Sequence, residues 1–258
     1  MQRYTASTYG EAFADVYDDW YHDVSDVTAT CALVTELAAR ARRSADQGDH
    51  DGRRPRVLEL GAGTGRLAIP LATSGLDVTA LDASPAMLQR LRERDRLGRV
   101  ATVLGDMAAD LPPGPFDVVL VAYNTLFNLL RAEDQAACFR AVAERLAPGG
   151  AFVVEVFVPE DPPPQGSRVD VRSMTADEVV LAVVRHDPEG QRAEGHFVHL
   201  ADGQPVRLRP WAIRYSRPDE LDAMAAAAGL VLLERWEDVA RRPFHDESPR
   251  HVSVYGRG

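Results

Sequence analysis

VLELGAGTGR, residues 57–66, joins an apolar run to a glycine-rich turn and then to the helix-forming stretch Arg66 to Ser74. The run Arg56 to Leu60 is short and almost continuously apolar, the form taken by a strand buried on both faces. Gly61, Gly63 and Gly65 let the chain turn with positive φ and let a ligand approach the backbone, and the helix start behind them offers free N–H groups. A dinucleotide loop would follow G-x-G-x-x-G, with its third glycine at position 66. Position 66 is Arg, and the third glycine comes one residue early. That spacing argues against a dinucleotide and for a nucleoside ligand that has no pyrophosphate.

Asp77 to Leu81 reads as a second strand with Asp82 at its tip. A carboxylate there can accept from both hydroxyls of a ribose. As an isolated residue Asp82 could equally be a helix cap. The glycine loop upstream and Gly105-Asp106-Met107 downstream favour the ribose. Ser84-Pro85 is an N-cap followed by proline at the first helical position, and its helix runs to about Arg96. Strands follow at Val100 to Leu104 and Phe116 to Ala122. A helix from Ala132 to Leu146 is stopped by Pro148-Gly149-Gly150, and a fifth strand covers Ala151 to Val158. Upstream, Thr28 to Arg43 forms an amphipathic helix through Leu33, Leu37 and Ala41, followed by a polar loop over 44–54. Strands alternating with helices imply a parallel sheet covered on both faces.

The rhythm breaks at PEDPPPQGS, which begins at Pro159. Arg168 to Tyr215 reads as three or four strands, with Asp202-Gly203 as a hairpin turn. A helix from Ser216 and Pro218 to Gly229 restores the α/β pattern, and Leu230 to Trp236 and His251 to Tyr255 close the sheet.

The chain has 258 residues, 45% of them hydrophobic, and a formal net charge of −10. An acidic protein needs a local basic stripe to hold a phosphate backbone. The arginines at 40, 42 and 43 and at 90, 92, 94 and 96 read as solvated helix faces, so no nucleic acid partner is expected. Cys31 and Cys138 lie in apolar helical patterns and read as free thiols. The opening MQRYTASTYGEAFADVYDDWY is too polar for a signal peptide and no run has the length of a membrane span, so a cytoplasmic protein without a membrane partner is expected. His196 and His199 would point to opposite faces of one strand, and no cluster has zinc spacing, so no metal is expected.

VLELGAGTGRLAIPLA, VTALDASPAMLQRL, GDM, FDVVL and LAPGGAFVVEV together resemble the motif series of class I S-adenosylmethionine (SAM)-dependent methyltransferases, over roughly residues 55–158. The resemblance implies an α/β fold: a Rossmann-like class I methyltransferase sheet with a small antiparallel β insertion after strand five. Residues 1–158 and 216–258 would form the SAM-binding domain with an N-terminal lid, and 159–215 the insertion contributing to the substrate cavity. It implies that Gly61, Gly63 and Gly65 pass under the methionine and ribose, that Glu59 orients donors near the amino-acid end, and that Asp82 holds the ribose. Ala83 and Met87 would flank the adenine, with Gly105, Asp106 and Met107 at its amino edge and Ala122 and Tyr123 along the methyl-donor pocket.

FADVYDDWYHD, the insertion and VEVFVPED further resemble the N-methyltransferases of antibiotic amino sugars and, more distantly, glycine N-methyltransferase. By that resemblance Tyr17, Trp20 and Tyr21 are lid residues over SAM, with Tyr21 at the reacting centre. The same three- and four-residue spacing would also suit a buried helix face. Asn128 stands where such relatives can carry a histidine, and Asn124 is a candidate for holding substrate. Asn128 has no useful basicity, so a catalytic role there would be without proton acceptance. Transfer to a neutral amine needs mainly alignment and desolvation, whereas a hydroxyl would want a base, for which His22 and Glu155 are the candidates. The expected function is SAM-dependent methyl transfer to a small-molecule amine or hydroxyl of secondary metabolism, such as antibiotic biosynthesis, the amine preferred. The competing readings are a SAM-fold protein that cyclises or isomerises a natural product without methylating it, and a non-catalytic SAM-binding module. A homodimer is compatible with the sequence.

Overall fold

The computed structural model describes residues 4–44 and 52–258. Most of the polar loop expected over 44–54 lies outside the described residues. The first half alternates strand and helix as the apolar runs require: α3 (Val27–Ser44), β1 (Arg56–Leu60), α4 (Ala68–Thr73), β2 (Asp77–Asp82), α5 (Pro85–Arg94), β3 (Val100–Leu104), β4 (Phe116–Val121), α6 (Ala132–Arg145) and β5 (Leu146–Phe157). They are preceded by two short helices, α1 (Thr8–Phe13) and α2 (Tyr17–Trp20). Four strands then form a separate antiparallel sheet: β6 (Gly166–Met174), β7 (Glu178–Asp187), β8 (Arg192–Ala201) and β9 (Arg207–Arg214). The chain returns through α7 (Pro218–Ala227), β10 (Leu230–Trp236) and β11 (Arg250–Arg257).

The large sheet has the order β10-β11-β5-β4-β1-β2-β3. The pairs among β1 to β5 are parallel, and β11 runs antiparallel to both neighbours. Neighbouring residues of one strand enter different cores, which is why these strands are apolar throughout. Val57, Val118 and Val153 pack with α3, α4 and α5 on one face; Leu58, Val119 and Phe152 pack with α6 and α7 on the other. One boundary differs from expectation. Pro148-Gly149-Gly150 does not stop a helix at that point: α6 ends at Arg145 and the three residues lie within the opening of β5, opposite a register shift between Phe116 and Val118. Gly150 is needed there because a Cβ would come within 2.9 Å of the Ala147 carbonyl oxygen. The stretch expected to hold three or four strands holds four, β6 and β7 being parted by a turn in which Thr175 N–H donates to the Glu178 carbonyl.

A buried polar network ties the small sheet to the large one. Gln135 on α6 donates from Nε2 to the carbonyls of Leu129 and Arg214, and its Oε1 accepts from Arg214 and Ser216. Arg214, at the end of β9, also donates to Gln191. Gln135 and Ser216 are fully buried, so every partner lost here strands a polar group away from water. We expect Gln135→Leu to destabilise the protein by about 3 kcal/mol, read as a lower urea midpoint with unchanged m-value. An unchanged midpoint would show that the network is energetically neutral.

Candidate active site

The glycine loop is held by the side chain beside it. Asp82 accepts from Gly63 N–H through Oδ2 and from Ser84 N–H through Oδ1, both at 2.8 Å. Burial raises its pKa, and the backbone donors of Ser84, Gly63 and Ala83 pull it back down. Gly61, Gly63 and Gly65 all have positive φ, from 57° to 83°. Two of them are also sterically required. A Cβ on Gly61 would sit 2.2 Å from Thr125 Cγ2, and one on Gly65 2.7 Å from Leu91 Cγ. The space above Gly63 is taken by the Tyr17 ring, 3.8 Å from a Cβ placed there.

Tyr17, Gly61, Gly63, Asp82, Ala83, Met87, Gly105, Asp106, Met107 and Asn128 line one cavity of about 80 Å³. Sequence reasoning missed Tyr4, Tyr9, Thr125 and Leu129, which also line it. The signal for Tyr9 was available: Tyr9, Phe13 and Tyr17 recur every four residues. Tyr9 stacks on Phe13 at 4.3 Å and shares a hydrogen bond with Tyr21. Tyr17 lies 4.9 Å from Tyr21, which lies 6.1 Å from Tyr123. Burial lifts the Tyr17 phenol to about 12 and pushes the Tyr9 phenol well above its ordinary value, so both are neutral hydroxyls at ordinary pH.

Seven expected site residues are not among those that line this cavity: Trp20, Tyr21, Glu59, Gly65, Ala122, Tyr123 and Asn124. Trp20 turns away from this cavity and packs on Phe13, Phe197 and His199, because the apolar side of α2 faces the inserted sheet. Tyr21 is buried among the tyrosines rather than along the cavity wall. Asn124 is tied to the backbone through its Oδ1, which accepts from Phe157 N–H at 2.6 Å. Ala122 is buried in the core, and Tyr123 and Asn124 both adopt left-handed φ, carrying the chain from β4 into the 3₁₀ turn Thr125–Asn128. Neither base candidate is free for the role. His22 is exposed, with Nδ1 bonded to the Asp19 carbonyl, and Glu155 accepts from Tyr123 N–H.

A second cavity of about 1090 Å³ lies between the inner face of the small sheet and the ends of the core strands. Its walls include Phe157, Phe197, Trp211 and Tyr215, with His186 on β7. Phe157, in the wall of this cavity, packs against Phe127 at 5.1 Å, and the 3₁₀ turn that holds Phe127 lines the first cavity through Thr125 and Asn128. Desolvation and then Arg168 lower the His186 pKa, and its buried Nε2 has no partner among the described residues. Asp246 and Glu247 line the rim. Among the described residues no group of three or more His, Cys, Asp or Glu could hold a metal ion, and no helix is long and apolar enough to cross a membrane.

A family described as a methyltransferase domain matches residues 57–150. The cypemycin N-terminal methyltransferase of a Streptomyces species is 37% identical over 212 residues, 80% of this chain and 84% of that protein. This chain belongs to the class I SAM-dependent methyltransferases. The CcbJ methyltransferase of Streptomyces caelestis superposes with a TM-score of 0.87 at 39% identity, over 99% of this chain and all of that one. SAM-bound CalS10, an amino pentose methyltransferase of Micromonospora echinaspora, shares the fold at 22% identity, with a TM-score of 0.68 over 94% and 97% of the two chains. The methyltransferase uses SAM, and its residues suit that cofactor. One observation bears on the expected methionine end. Glu59 is buried, its Oε2 has no hydrogen-bond partner, and burial pushes its carboxyl up to about 8, against the pull of Arg66. Such a group calls for a cation, and the SAM ammonium is one.

Without ligand, Glu59 is protonated in the folded state up to about pH 8 and ionised in the unfolded state above about 4.5. A raised carboxyl contributes stability that is full below the unfolded pKa and is lost as pH rises through the folded one. We expect Glu59→Gln to match the ligand-free wild type in thermal stability near pH 5, to exceed it at pH 8, and to bind SAM more weakly. Parallel pH curves for the two proteins would show that Glu59 is already ionised and paired.

Proposed function

We propose that this methyltransferase transfers the SAM methyl group to an amine nitrogen of a small natural product held in the cavity between the inserted sheet and the core strands. The observation that carries this reading is the make-up of that cavity: aromatic walls, one imidazole and a carboxylate rim. Glu160, Asp246 and Glu247 on the rim are exposed and have no ion-pair partner among the described residues. The lining carries seven carboxylates against three arginines, Arg168, Arg217 and Arg235, and such an acidic excess raises the local concentration of a cationic acceptor. The cypemycin enzyme, by its name, acts on an N-terminus, which is an amine.

When bound, SAM supplies a methyl carbon attached to a sulfonium and open to in-line attack. Asp82 would hold the ribose, Asp106 and Met107 the adenine, and Glu59 the ammonium. Tyr17, with Tyr21 and Tyr123 packed behind it, would give the sulfonium an electron-rich, water-poor surround. The acceptor amine must arrive without its extra proton, and His186, kept neutral by desolvation and by Arg168, is the imidazole in the cavity wall able to take it. With cationic amines in a panel, S-adenosylhomocysteine should form, and hydroxyl analogues should give far less. Combining Glu160→Gln, Asp246→Asn and Glu247→Gln should raise KM for the amines severalfold and leave kcat near wild type. Equal use of hydroxyl acceptors, with indifference to rim charge, would reject the amine assignment.

The same reading makes the N-terminal segment a lid. A cavity of about 80 Å³ is far smaller than the few hundred Å³ a nucleoside ligand fills. The segment closes it through contacts with the cofactor loop and α5. Glu11 accepts from Ser84 Oγ and Ala86 N–H, and Asp18 accepts from Thr64 Oγ1 and Arg94. Gly10 permits the approach, since a Cβ there would meet Ser84 Cβ at 2.3 Å. Amide exchange over residues 9–21 should slow on adding S-adenosylhomocysteine, more than in β1 or β4, and Gly10→Val should abolish that protection. Equal protection with and without ligand would make the segment a fixed wall.

A further inference from the structure

Arg172 is the one residue of β6 without a partner across the ladder. Val171 pairs with Leu181 and Ser173 with Val180, so Arg172 is the extra residue of a bulge. A bulge re-aims the side chain it carries. Here it turns the guanidinium toward the N-terminal segment, 5.1 Å from the ring centre of Trp20 and 5.0 Å from those of Tyr21 and Phe197. Its Nη2 donates to the Trp20 carbonyl at 3.0 Å. Three rings and one carbonyl oxygen around a cation are the parts of an ammonium-binding box. A second arginine, Arg209, also lies over Trp20, 5.5 Å from its ring. Arg209 is nearly buried and bidentate to Asp15, so it is fixed. Arg172 has no carboxylate partner among the described residues, and it stands on an edge strand exposed at every position. Of the two cations on this indole, Arg172 is the one free to leave.

The box stands between the two cavities. Tyr21 lies 4.9 Å from Tyr17, whose ring covers Gly63 of the cofactor loop, and 6.1 Å from Tyr123. Phe197 is at once a side of the box and part of the acceptor cavity wall. We propose that Trp20, Tyr21, Phe197 and the Trp20 carbonyl form the subsite for the charged nitrogen of the acceptor, and that Arg172 fills it until an acceptor displaces it. The proposal rests on the amine reading given above. An amine arriving from neutral water is an ammonium, with the charge and the N–H donor that the guanidinium now presents to the same rings and carbonyl. Transfer breaks the sulfur–methyl bond and forms a nitrogen–methyl bond, so positive charge passes from sulfur to nitrogen, and the methylated product suits the box as the arriving acceptor did. A neutral acceptor of the same shape gains little from the rings and does not displace a cation, so the resident arginine works against such acceptors.

The test reads the box without the natural acceptor. Trimethylammonium, cationic at neutral pH and with one N–H, is titrated by saturation-transfer NMR against the full chain loaded with S-adenosylhomocysteine. tert-Butanol is the neutral control of like shape. Arg172→Ala should bind trimethylammonium about tenfold more tightly than the wild type, and guanidinium ion should compete for the vacated place. Phe197→Leu in the Arg172→Ala background should lose the binding. With the amine panel, Arg172→Ala should lower KM severalfold. Equal binding by wild type and Arg172→Ala would overturn the proposal. So would binding that survives Phe197→Leu, or tert-butanol that binds as well. A raised KM in Arg172→Ala would also overturn it, because the guanidinium would then hold the acceptor itself. Should Arg172→Ala or the double variant fail to fold, Arg172→Gln and Trp20→Leu take their places with the same expectations. The amine reading fails separately: hydroxyl acceptors that turn over as well as amines would reject it and leave trimethylammonium binding in Arg172→Ala untouched.

Discussion

A single carboxylate sets the geometry of the cofactor half. Asp82 ends β2, and its two oxygens accept from the N–H groups of Gly63 and Ser84. One bond fixes the glycine loop after β1, and the other fixes the entry of α5. Ser84 then caps α5 by accepting from Met87 N–H, and it also donates to Glu11 of the N-terminal segment. Loop, helix and lid are thus referenced to one buried group. The steric fit agrees with this, since Gly65 lies where α5 must pack and Gly61 where the 3₁₀ turn must pack.

The N-terminal segment links two regions of different origin in the chain. Phe13, Tyr21 and Met87 form a small core with Phe197 and Trp211 of the inserted sheet at its edge. Arg209, nearly buried, is bidentate to Asp15, while Arg172 lies about 5 Å over the rings of Trp20, Tyr21 and Phe197. A buried arginine without its partner is costly, so Asp15 ties the segment to β9 by more than surface attraction. The placement of the N-terminal segment and the packing of the inserted sheet therefore depend on the same few side chains.

Much of this was legible in the sequence because local chemistry dictates it. Apolar runs of five or six residues gave the parallel strands, Ser84-Pro85 gave the start of α5, and the glycine spacing with Asp82 gave a nucleoside loop. The resemblance to SAM-dependent methyltransferases added the roles of Asp106 and Met107. What was misread depends on contacts distant in the chain. Trp20 has the spacing of a cofactor aromatic, and only the docking of β8 reveals which way it turns. Asn124 has the chemistry of a substrate contact, and only its nearness to Phe157 N–H shows it in use. The positions of Asp246 and Glu247 depend on the loop before β11 returning beside the inserted sheet, for which the local sequence carries no sign.

The inserted sheet enters after β5 and leaves before α7, so its residues form one uninterrupted span of the gene. Such a span looks transferable: a graft of 159–215 from a relative would bring a new acceptor wall and leave the glycine loop untouched. The side chains that meet it from outside tell otherwise. Asp15 and Trp20 would have to match the incoming β8 and β9, and Gln135 the incoming end of β9. A workable chimaera therefore takes three pieces of coding sequence, the insertion, the first two helices and the start of α6, and a graft of the insertion alone would leave its buried partners unmatched.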